Sequence, residues 1–215
     1  MVLLAPTLSA LQKLLDVCSS FAKPHDIVYN TTKTVCMLVR PRGLNYYLAT
    51  EIKLGGTALD YVEEFQYLGH IITADCNDDK DVAKQTRRQN AVGNMLIRKF
   101  SFAPREAKIQ LFKSYCYPMY CNALWRNFFQ YSVRKLAVSY NDTFRRLVQV
   151  PRSTSASRVF AENQSDHIKV LFRKAAHSLM TRVMSSPNEI LVAICSGDAL
   201  ASSSLLRRWR GLLYT

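Results

Sequence analysis

The sequence has 215 residues, of which 48% are hydrophobic and 21% charged. This length and balance exclude a chain that is disordered throughout and favour a globular protein with a sizeable core. The formal net charge of +13 is typical of proteins that bind a polyanion, and a solvated basic surface without a ligand is the alternative.

The first helix is predicted between Leu8 and Ala22, where leucines recur at helical spacing. Thr7 can cap its N-terminus through the side-chain hydroxyl, and Pro24 cannot continue the helix. The short apolar run Val2–Ala5, which ends at a proline, favours a buried strand. The chain is therefore predicted to open with a strand and an amphipathic helix.

Residues with high strand propensity predict further strands at Ile27–Tyr29 and Thr34–Val39. Paired glycines, which adopt the positive φ angles that tight turns need, predict a hairpin over Ile52–Leu59. A last strand is predicted over Phe65–Thr73, and Gly69 in its middle indicates a bulge or a close approach to the backbone.

After residue 74 the pattern changes to helices. Apolar residues at helical spacing predict five of them, over Asp78 to about Phe100, Pro104–Cys116, Val133–Leu147, His167–Met184 and Glu189–Cys195. Pro151 and the serines of Ser153–Ser157 predict a loop. No structure is predicted for Ser202–Thr215, because its apolar residues have no evident partner.

The charge follows the same division of the chain. Residues 1–74 carry six basic and six acidic residues, so the remaining 23 basic and 10 acidic residues all follow them. We therefore predict an α+β fold, in which a small antiparallel β-containing region at 1–74 precedes a mainly helical, basic region at 75–195. Residues 196–215 are predicted to form a poorly defined tail.

The six cysteines are scattered through apolar segments without a Cys-x-x-Cys pair. This pattern favours free thiols in a reducing compartment over a disulfide framework or a zinc site. No basic segment precedes the apolar run Val2–Ala5, and that run is too short to span a bilayer. We therefore expect an intracellular protein, cytoplasmic or nuclear, without a membrane partner.

No complete active site is recognisable in the sequence. The histidines His25, His70, His167 and His177 show no metal-binding spacing such as His-x-x-x-His. Asp78, Asp79 and Asp81 could suggest a metal site, but carboxylates in the first turn of a helix also complement its dipole. Because no further ligand or turn glycine completes a coordination pattern, we favour the dipole interpretation and predict no metal site.

The basic residues, by contrast, are organised along helices. Those of the first long helix recur on one face, opposite Val92 and Leu96. The predicted nucleic-acid-binding residues are Lys80, Lys84, Arg87, Arg88, Arg98, Arg105 and Lys108. Basic pairs at 134–135, 145–146 and 173–174 repeat the arrangement. Interleaved aromatic residues can stack on bases while the cations hold phosphates, although Trp125 and Phe128 are more often core residues.

Five segments, in this order and at workable spacing, resemble the reverse transcriptases of LINE-type (non-LTR) retrotransposons over Met1 to about Cys195. Residues 1–6 and the helix after them are similar to the stretch that directly follows the catalytic YADD box. The other segments are similar to palm motif D (Asn30, Lys33, Thr34, Met37), the primer-grip motif E (Phe65, Tyr67, Leu68, Gly69), the thumb (Leu111–Cys116, Leu124, Trp125) and the stretch beyond it (Tyr140–Leu147, Pro151–Ala161).

The resemblance implies the C-terminal portion of an RNA-directed DNA polymerase, with part of the palm at 1–74 and the thumb and following helices at 75–195. In that family three palm aspartates bind the metal ions, and we expect this chain to lack them because it begins just after the YADD box. Two-metal phosphoryl transfer needs those carboxylates. We therefore expect no cofactor bound by this chain, and Mg²⁺ only in the complete polymerase.

The resemblance also implies residue roles. Lys33 would donate a proton to the leaving pyrophosphate, and a surface lysine beside a turn is the alternative. Phe65, Tyr67, Leu68 and Gly69 would hold the primer end, with Gly69 letting the sugar-phosphate approach.

The basic face would bind an RNA–DNA hybrid or RNA, and the missing N-terminal half of the polymerase is a further expected partner. The resemblance leaves two alternatives open. One is a stand-alone basic helical module that binds nucleic acid or another protein. The other is an unstable relic of a degraded element.

Overall fold

The computed structural model describes residues 1–40, 50–197 and 202–214. The chain divides into two compact units. Unit 1 comprises Met1–Tyr67 and Ile71–Cys76, and unit 2 comprises Leu68–His70 and Asn77–Thr215. Unit 1 contains the strands and one helix, whereas unit 2 is helical, so the predicted α+β fold class is confirmed.

Unit 1 opens with helix α1, Leu8–Ala22. The Thr7 hydroxyl accepts a hydrogen bond from the backbone N–H of Ala10 at 3.1 Å, so the predicted cap is confirmed. A short 3₁₀ helix, Lys23–His25, follows and contains Pro24. The predicted strands at Val2–Ala5 and Ile27–Tyr29 are wrong, because these segments have no regular secondary structure and pair with no described strand.

The described strands are short: β1 Val35–Cys36, β2 Lys53–Leu54, β3 Thr57–Ala58, β4 Asp60–Tyr61, β5 Glu64–Tyr67 and β6 His70–Thr73. Strands β2 and β3 form the predicted antiparallel hairpin, which turns at two glycines with positive φ. Strands β1 and β4 pair in parallel, so the antiparallel prediction is wrong for this pair. Of the predicted strand Thr34–Val39, only β1 forms.

The predicted single strand Phe65–Thr73 is instead two neighbouring strands, β5 and β6. They are joined by Leu68 and Gly69, whose φ angles are +46° and +82°. Two consecutive positive φ angles turn the chain back on itself, as in a type I′ hairpin turn. Gly69 therefore marks a turn rather than a bulge.

Unit 2 contains the helices α2 Asp79–Lys99, α3 Arg105–Cys116, α4 Gln130–Leu147, α5 Ala156–Glu162, α6 Ile168–Met184, α7 Glu189–Ser196 and α8 Ser204–Tyr214. The five predicted helices form within a few residues of their expected ends. Helix α5 replaces part of the predicted loop at Ser153–Ser157, and α8 replaces the poorly defined tail. Phe160 of α5 is buried and stacks on Phe144 and Tyr140 of α4.

Helix α8 is held by contacts that are distant in sequence. Trp209 and Leu206 are buried in a cluster with Ala176 of α6. The Trp209 indole N–H also donates to the carbonyl oxygen of Ala123 at 2.8 Å. The apolar residues of this segment therefore have partners, contrary to the prediction.

The core of unit 2 is built around α2 and α4. Gly93 of α2 lies against Thr143 of α4, and a Cβ on Gly93 would stand only 2.5 Å from the Thr143 Cγ2. Phe112 of α3 is buried, and its ring packs against those of Tyr140 and Phe144 of α4. The absence of a side chain at Gly93 thus lets the two helices pack closely.

All six cysteines are free, which confirms the prediction of unpaired thiols. Cys36 and Cys116 are buried, and the other four are partly exposed. Burial raises the pKa of the Cys116 thiol to about 11.

Candidate nucleic-acid interface

The predicted basic face of α2 lies at the surface of unit 2. Lys80, Arg87, Arg88 and Arg98 are exposed and Lys84 is half-buried. The opposite side of the helix is buried, including Val82 and Leu96. The exposed side of α2 is therefore the one that helical spacing predicts for these cations. We use "α2 face" below for Lys80, Lys84, Arg87, Arg88 and Arg98.

Two members of the α2 face bind backbone carbonyls. The Lys84 Nζ donates to the Gly69 oxygen at 2.8 Å, and the Arg88 Nη1 donates to the Pro118 oxygen at 2.7 Å. Arg87 and Arg98 make no side-chain hydrogen bond or ion pair with any residue that the structure describes. Their guanidinium groups are therefore open to a ligand.

The two residues predicted on α3 differ in accessibility. Arg105 is exposed, and its Nε donates to the Asn163 Oδ1 at 3.0 Å. Lys108 is only 7% exposed, and its Nζ donates to the Ser101 oxygen at 2.7 Å. The ammonium group of Lys108 is thus turned to a backbone carbonyl of the loop before α3 and not to the surface, so its role in nucleic-acid binding stays a prediction without support from its exposure.

The predicted primer-grip residues lie along the β5–β6 hairpin. Phe65, Tyr67 and Leu68 are exposed. A Cβ on Gly69 would stand 3.2 Å from the Tyr120 ring. The predicted close approach at Gly69 is thus occupied by an aromatic side chain.

Lys33 is exposed in a turn of unit 1. Its backbone N–H donates to the Asn30 Oδ1 at 3.0 Å. This placement leaves the ammonium group at the surface, beside a turn, and the structure brings no described carboxylate to it.

The aspartates at the start of α2 hold the segment before α4. The Asp78 Oδ2 accepts from the backbone N–H groups of Arg126 and Asn127 at 2.7 and 2.8 Å. The Asp81 Oδ2 accepts from the Trp125 indole N–H at 2.7 Å and lies 2.9 Å from the His70 Nδ1. Trp125 is therefore a core residue. These carboxylates do more than complement the helix dipole.

The contact between His70 and Asp81 also favours the protonated imidazole. The hydrogen bond to Asp81 raises the pKa of His70, against the opposing effect of burial. Among the described residues, no group of three or more His, Cys, Asp or Glu side chains is placed to hold a metal ion.

A second basic surface lies in unit 2, between α4, α6 and α8. Here the structure forms a cleft of about 1120 Å³. Six cationic residues line it: Arg126, Arg134, Lys169, Arg173, Arg207 and Arg208. None of the described residues that line it is acidic. Cations that converge on a concave site strengthen the local positive potential. We call this site the α4–α6–α8 cleft.

Most of the cleft cations have no counter-charge. Arg134, Lys169, Arg173 and Arg207 make no side-chain hydrogen bond or ion pair with the described part of the chain. A cation without a carboxylate partner remains available to a phosphate oxygen.

The other two cleft cations have structural contacts. The Arg126 Nη1 lies 3.5 Å from the Ser204 Oγ. The Arg208 guanidinium stands 5.0 Å from the centroid of the Phe128 ring. Its Nη1 donates to the backbone carbonyl oxygen of Asn122 at 3.3 Å. Burial lowers the pKa of Arg208 to about 10, so this side chain still carries its charge at neutral pH.

The cleft was not predicted from the sequence. Its third wall is α8, where Leu205, Leu206, Trp209 and Leu212 recur at helical spacing and could have indicated an amphipathic helix. Arg134 and Arg173 belong to the basic pairs at 134–135 and 173–174 of the sequence. Helical spacing alone does not predict which member of each pair lines the cleft.

The chain matches no protein-family model, no curated protein and no solved structure. None of the described helices has the length and apolar character needed to cross a membrane.

Proposed function

We propose that this chain binds nucleic acid, as the template–primer-holding C-terminal portion of a LINE-type RNA-directed DNA polymerase. The observation that carries the proposal is the set of exposed cations without carboxylate partners on unit 2, at Arg87 and Arg98 and around the α4–α6–α8 cleft. When such cations neutralise phosphates, the counterions condensed on the nucleic acid are released. This release is the main source of non-specific affinity for nucleic acid. The family assignment rests on the five segments that resemble reverse transcriptases.

The α2 face suits a long, regular polyanion. Arg87 and Arg98 are eleven residues apart, so they lie on nearly the same side of the helix and about 16 Å apart along its axis. Phosphates of one strand of a duplex follow at about 3.4 Å per step along the axis. A duplex lying against the α2 face could therefore contact both arginines at once, and an RNA–DNA hybrid is the duplex that the resemblance implies.

The proposal assigns no catalysis to this chain alone. Two-metal nucleotide transfer requires carboxylates that converge on the ions. Asp78 and Asp81 bind Arg126, Asn127, Trp125 and His70 instead. The metal ions and their aspartates would come from the N-terminal half of the complete polymerase.

The α2 face is tested with the double variant Arg87→Ala/Arg98→Ala. Because two phosphate contacts are lost, binding of a labelled RNA–DNA hybrid should weaken, and the log–log salt slope should flatten by about 1.4 to 1.8. The measurement is fluorescence anisotropy between low and moderate salt.

Lys135→Ala/Arg182→Ala is the matched control, because both residues are exposed, lie on other helices and do not line the cleft. An equal loss of hybrid affinity in the two double variants would mean that binding depends on overall charge and not on the α2 face. A wild-type chain that binds no hybrid at low salt would overturn the proposed function.

A stand-alone basic helical module remains the second candidate, because the same exposed cations would serve it. The two candidates differ in their need for the polymerase's N-terminal half. If this chain is the back end of a polymerase, adding that half as a separate chain should restore primer extension. A stand-alone module should bind nucleic acid but restore nothing.

A further inference from the structure

We propose that the α4–α6–α8 cleft binds a segment of single-stranded nucleic acid, with phosphates at Arg134, Lys169, Arg173 and Arg207 and a base on the ring of Tyr131. This inference rests on the proposed function and adds a second binding surface to the α2 face.

The charge of the cleft selects an anion that can reach several cations together. Arg134 belongs to α4, Lys169 and Arg173 to α6, and Arg207 to α8, and all four line the same cavity. Their side chains have no described carboxylate within ion-pair distance. A ligand with negative charges repeated along a flexible chain can satisfy cations on three helices, whereas a single small anion cannot.

The shape of the cleft favours one strand over two. Its volume of about 1120 Å³ is close to the upper range of small-ligand pockets, about 300 to 1,000 Å³. A few nucleotides of one strand fit within such a space, whereas a duplex does not. The bases of a single strand also have free faces, while those of a duplex are already stacked on each other.

Tyr131 supplies the surface on which a base can stack. It lies in the first turn of α4, lines the cleft and is 70% exposed. No ring or cation of the described residues stacks on it. Positive grooves with interleaved exposed aromatic rings are the usual means of binding single strands without sequence preference. An acidic peptide would satisfy the cations but would have no planar base for this ring.

The first experiment measures anisotropy of labelled oligo(dT) and oligo(rU) of about ten nucleotides, a length within common single-strand site sizes. The variant Arg134→Ala/Arg173→Ala should bind at least about tenfold more weakly, with a salt slope flatter by about 1.4. Lys135→Ala/Arg182→Ala removes the same charge from the same two helices outside the cleft, and it should bind within about threefold of the wild type.

The second experiment changes Tyr131 to Leu, which keeps an apolar side chain but removes the ring. Loss of base stacking should weaken binding of both oligonucleotides by roughly 5- to 150-fold. Since Tyr131 is largely exposed, the thermal unfolding transition should stay unchanged. Unchanged affinity in this variant, or displacement of the oligonucleotide by poly-glutamate with no dependence on Tyr131, would overturn the inference in favour of an acidic protein partner.

The two proposals fail in different ways. If hybrid binding depends on Arg87 and Arg98 while oligonucleotide binding ignores Arg134 and Arg173, only the cleft inference is wrong. If the wild-type chain binds no hybrid at low salt, the proposed function fails, whatever the result with the oligonucleotides.

Discussion

Lys108 occupies a position where helical spacing predicts an exposed cation, yet its ammonium group donates to the Ser101 oxygen and is almost wholly buried. Lys84 and Arg88 also donate to carbonyls, but both remain near the surface. The three carbonyl partners lie in segments outside the helices, and residue spacing does not reveal them. The residues open to phosphate are therefore fewer than the basic residues of the sequence.

His70 is expected to make stability depend on pH. Its folded pKa is raised by the hydrogen bond to Asp81, whereas the unfolded value is about 6.5. The charged contact therefore contributes fully below about pH 6.5 and is lost as the pH rises through the folded pKa. At about pH 6 the variant His70→Gln should lower the free energy of unfolding by about 1 to 3 kcal/mol, and by less at about pH 9.

Urea unfolding of the wild type and His70→Gln at both pH values measures this difference. His177→Gln is the control, because His177 is exposed on α6 and has no described carboxylate partner. A difference between the wild type and His70→Gln that stays constant or grows with pH would contradict the assignment of the contact to a charged imidazole.

At the scale of helices, the close packing of α2 on α4 depends on Gly93. Gly93→Ala gains up to about 1 kcal/mol of helix propensity, but its Cβ would stand 2.5 Å from the Thr143 Cγ2. Overpacking of this kind costs about 1 to 3 kcal/mol. This cost exceeds the gain in propensity over most of its range, so we expect net destabilisation by up to about 2 kcal/mol. Urea unfolding measures the change.

Gly211 provides the matched control, because a Cβ added there meets no atom within 4 Å. Gly211→Ala should therefore stabilise the protein by up to about 1 kcal/mol. Adding Thr143→Ala to Gly93→Ala should recover part of the loss, since it removes the two closest atoms. Additive effects of the two substitutions would show that the contact does not limit helix packing.

Sequence patterns predicted the helices whose apolar periodicity lies within their own residues. The same patterns failed for elements that form only through contacts with residues distant in sequence. The long helices α2, α4 and α6 each carry their own apolar periodicity and were found. Strand β1 needs β4, about 25 residues later, to form even two pairs, so its length was overestimated. Helix α8 needs Ala176 and the Ala123 carbonyl, and neither lies nearby in sequence.

The same distinction holds for the two candidate binding surfaces. The α2 face could be predicted because its residues share one helix. The α4–α6–α8 cleft could not, because it depends on the packing of three helices and one of them was not expected. Only the folded unit brings Arg134, Arg173 and Arg207 to one cavity.

At the scale of the whole molecule, the excess of basic over acidic residues lies in unit 2. The carboxylates of Asp78 and Asp81 at the start of α2 are engaged in contacts within the protein. We expect the purified chain to incorporate no dNTP on poly(rA)–oligo(dT) with Mg²⁺ or Mn²⁺, because the described residues assemble no group of carboxylates that could hold two ions. The measurement is primer extension against a vector-only control preparation.

Incorporation above that control by the chain alone would show that a catalytic centre exists in it. If incorporation instead appears only after the N-terminal half of the proposed LINE-type polymerase is added, the chain is inactive alone but competent in the complex. That outcome would support the proposed function and exclude the stand-alone module.

The Asp81 carboxylate has a consequence for how this protein can vary in evolution. The Asp81 Oδ2 accepts from the Trp125 indole N–H and lies 2.9 Å from the His70 Nδ1. A residue of α2 is therefore the shared partner of the first residue of β6 and a residue of the segment before α4. Substitution of Asp81 takes this acceptor from the Trp125 indole N–H and the His70 ring nitrogen, and substitution of either donor removes one of the two contacts of the carboxylate oxygen. Related sequences should therefore keep Asp, Trp and His together at these three positions or exchange them together, as a covarying set.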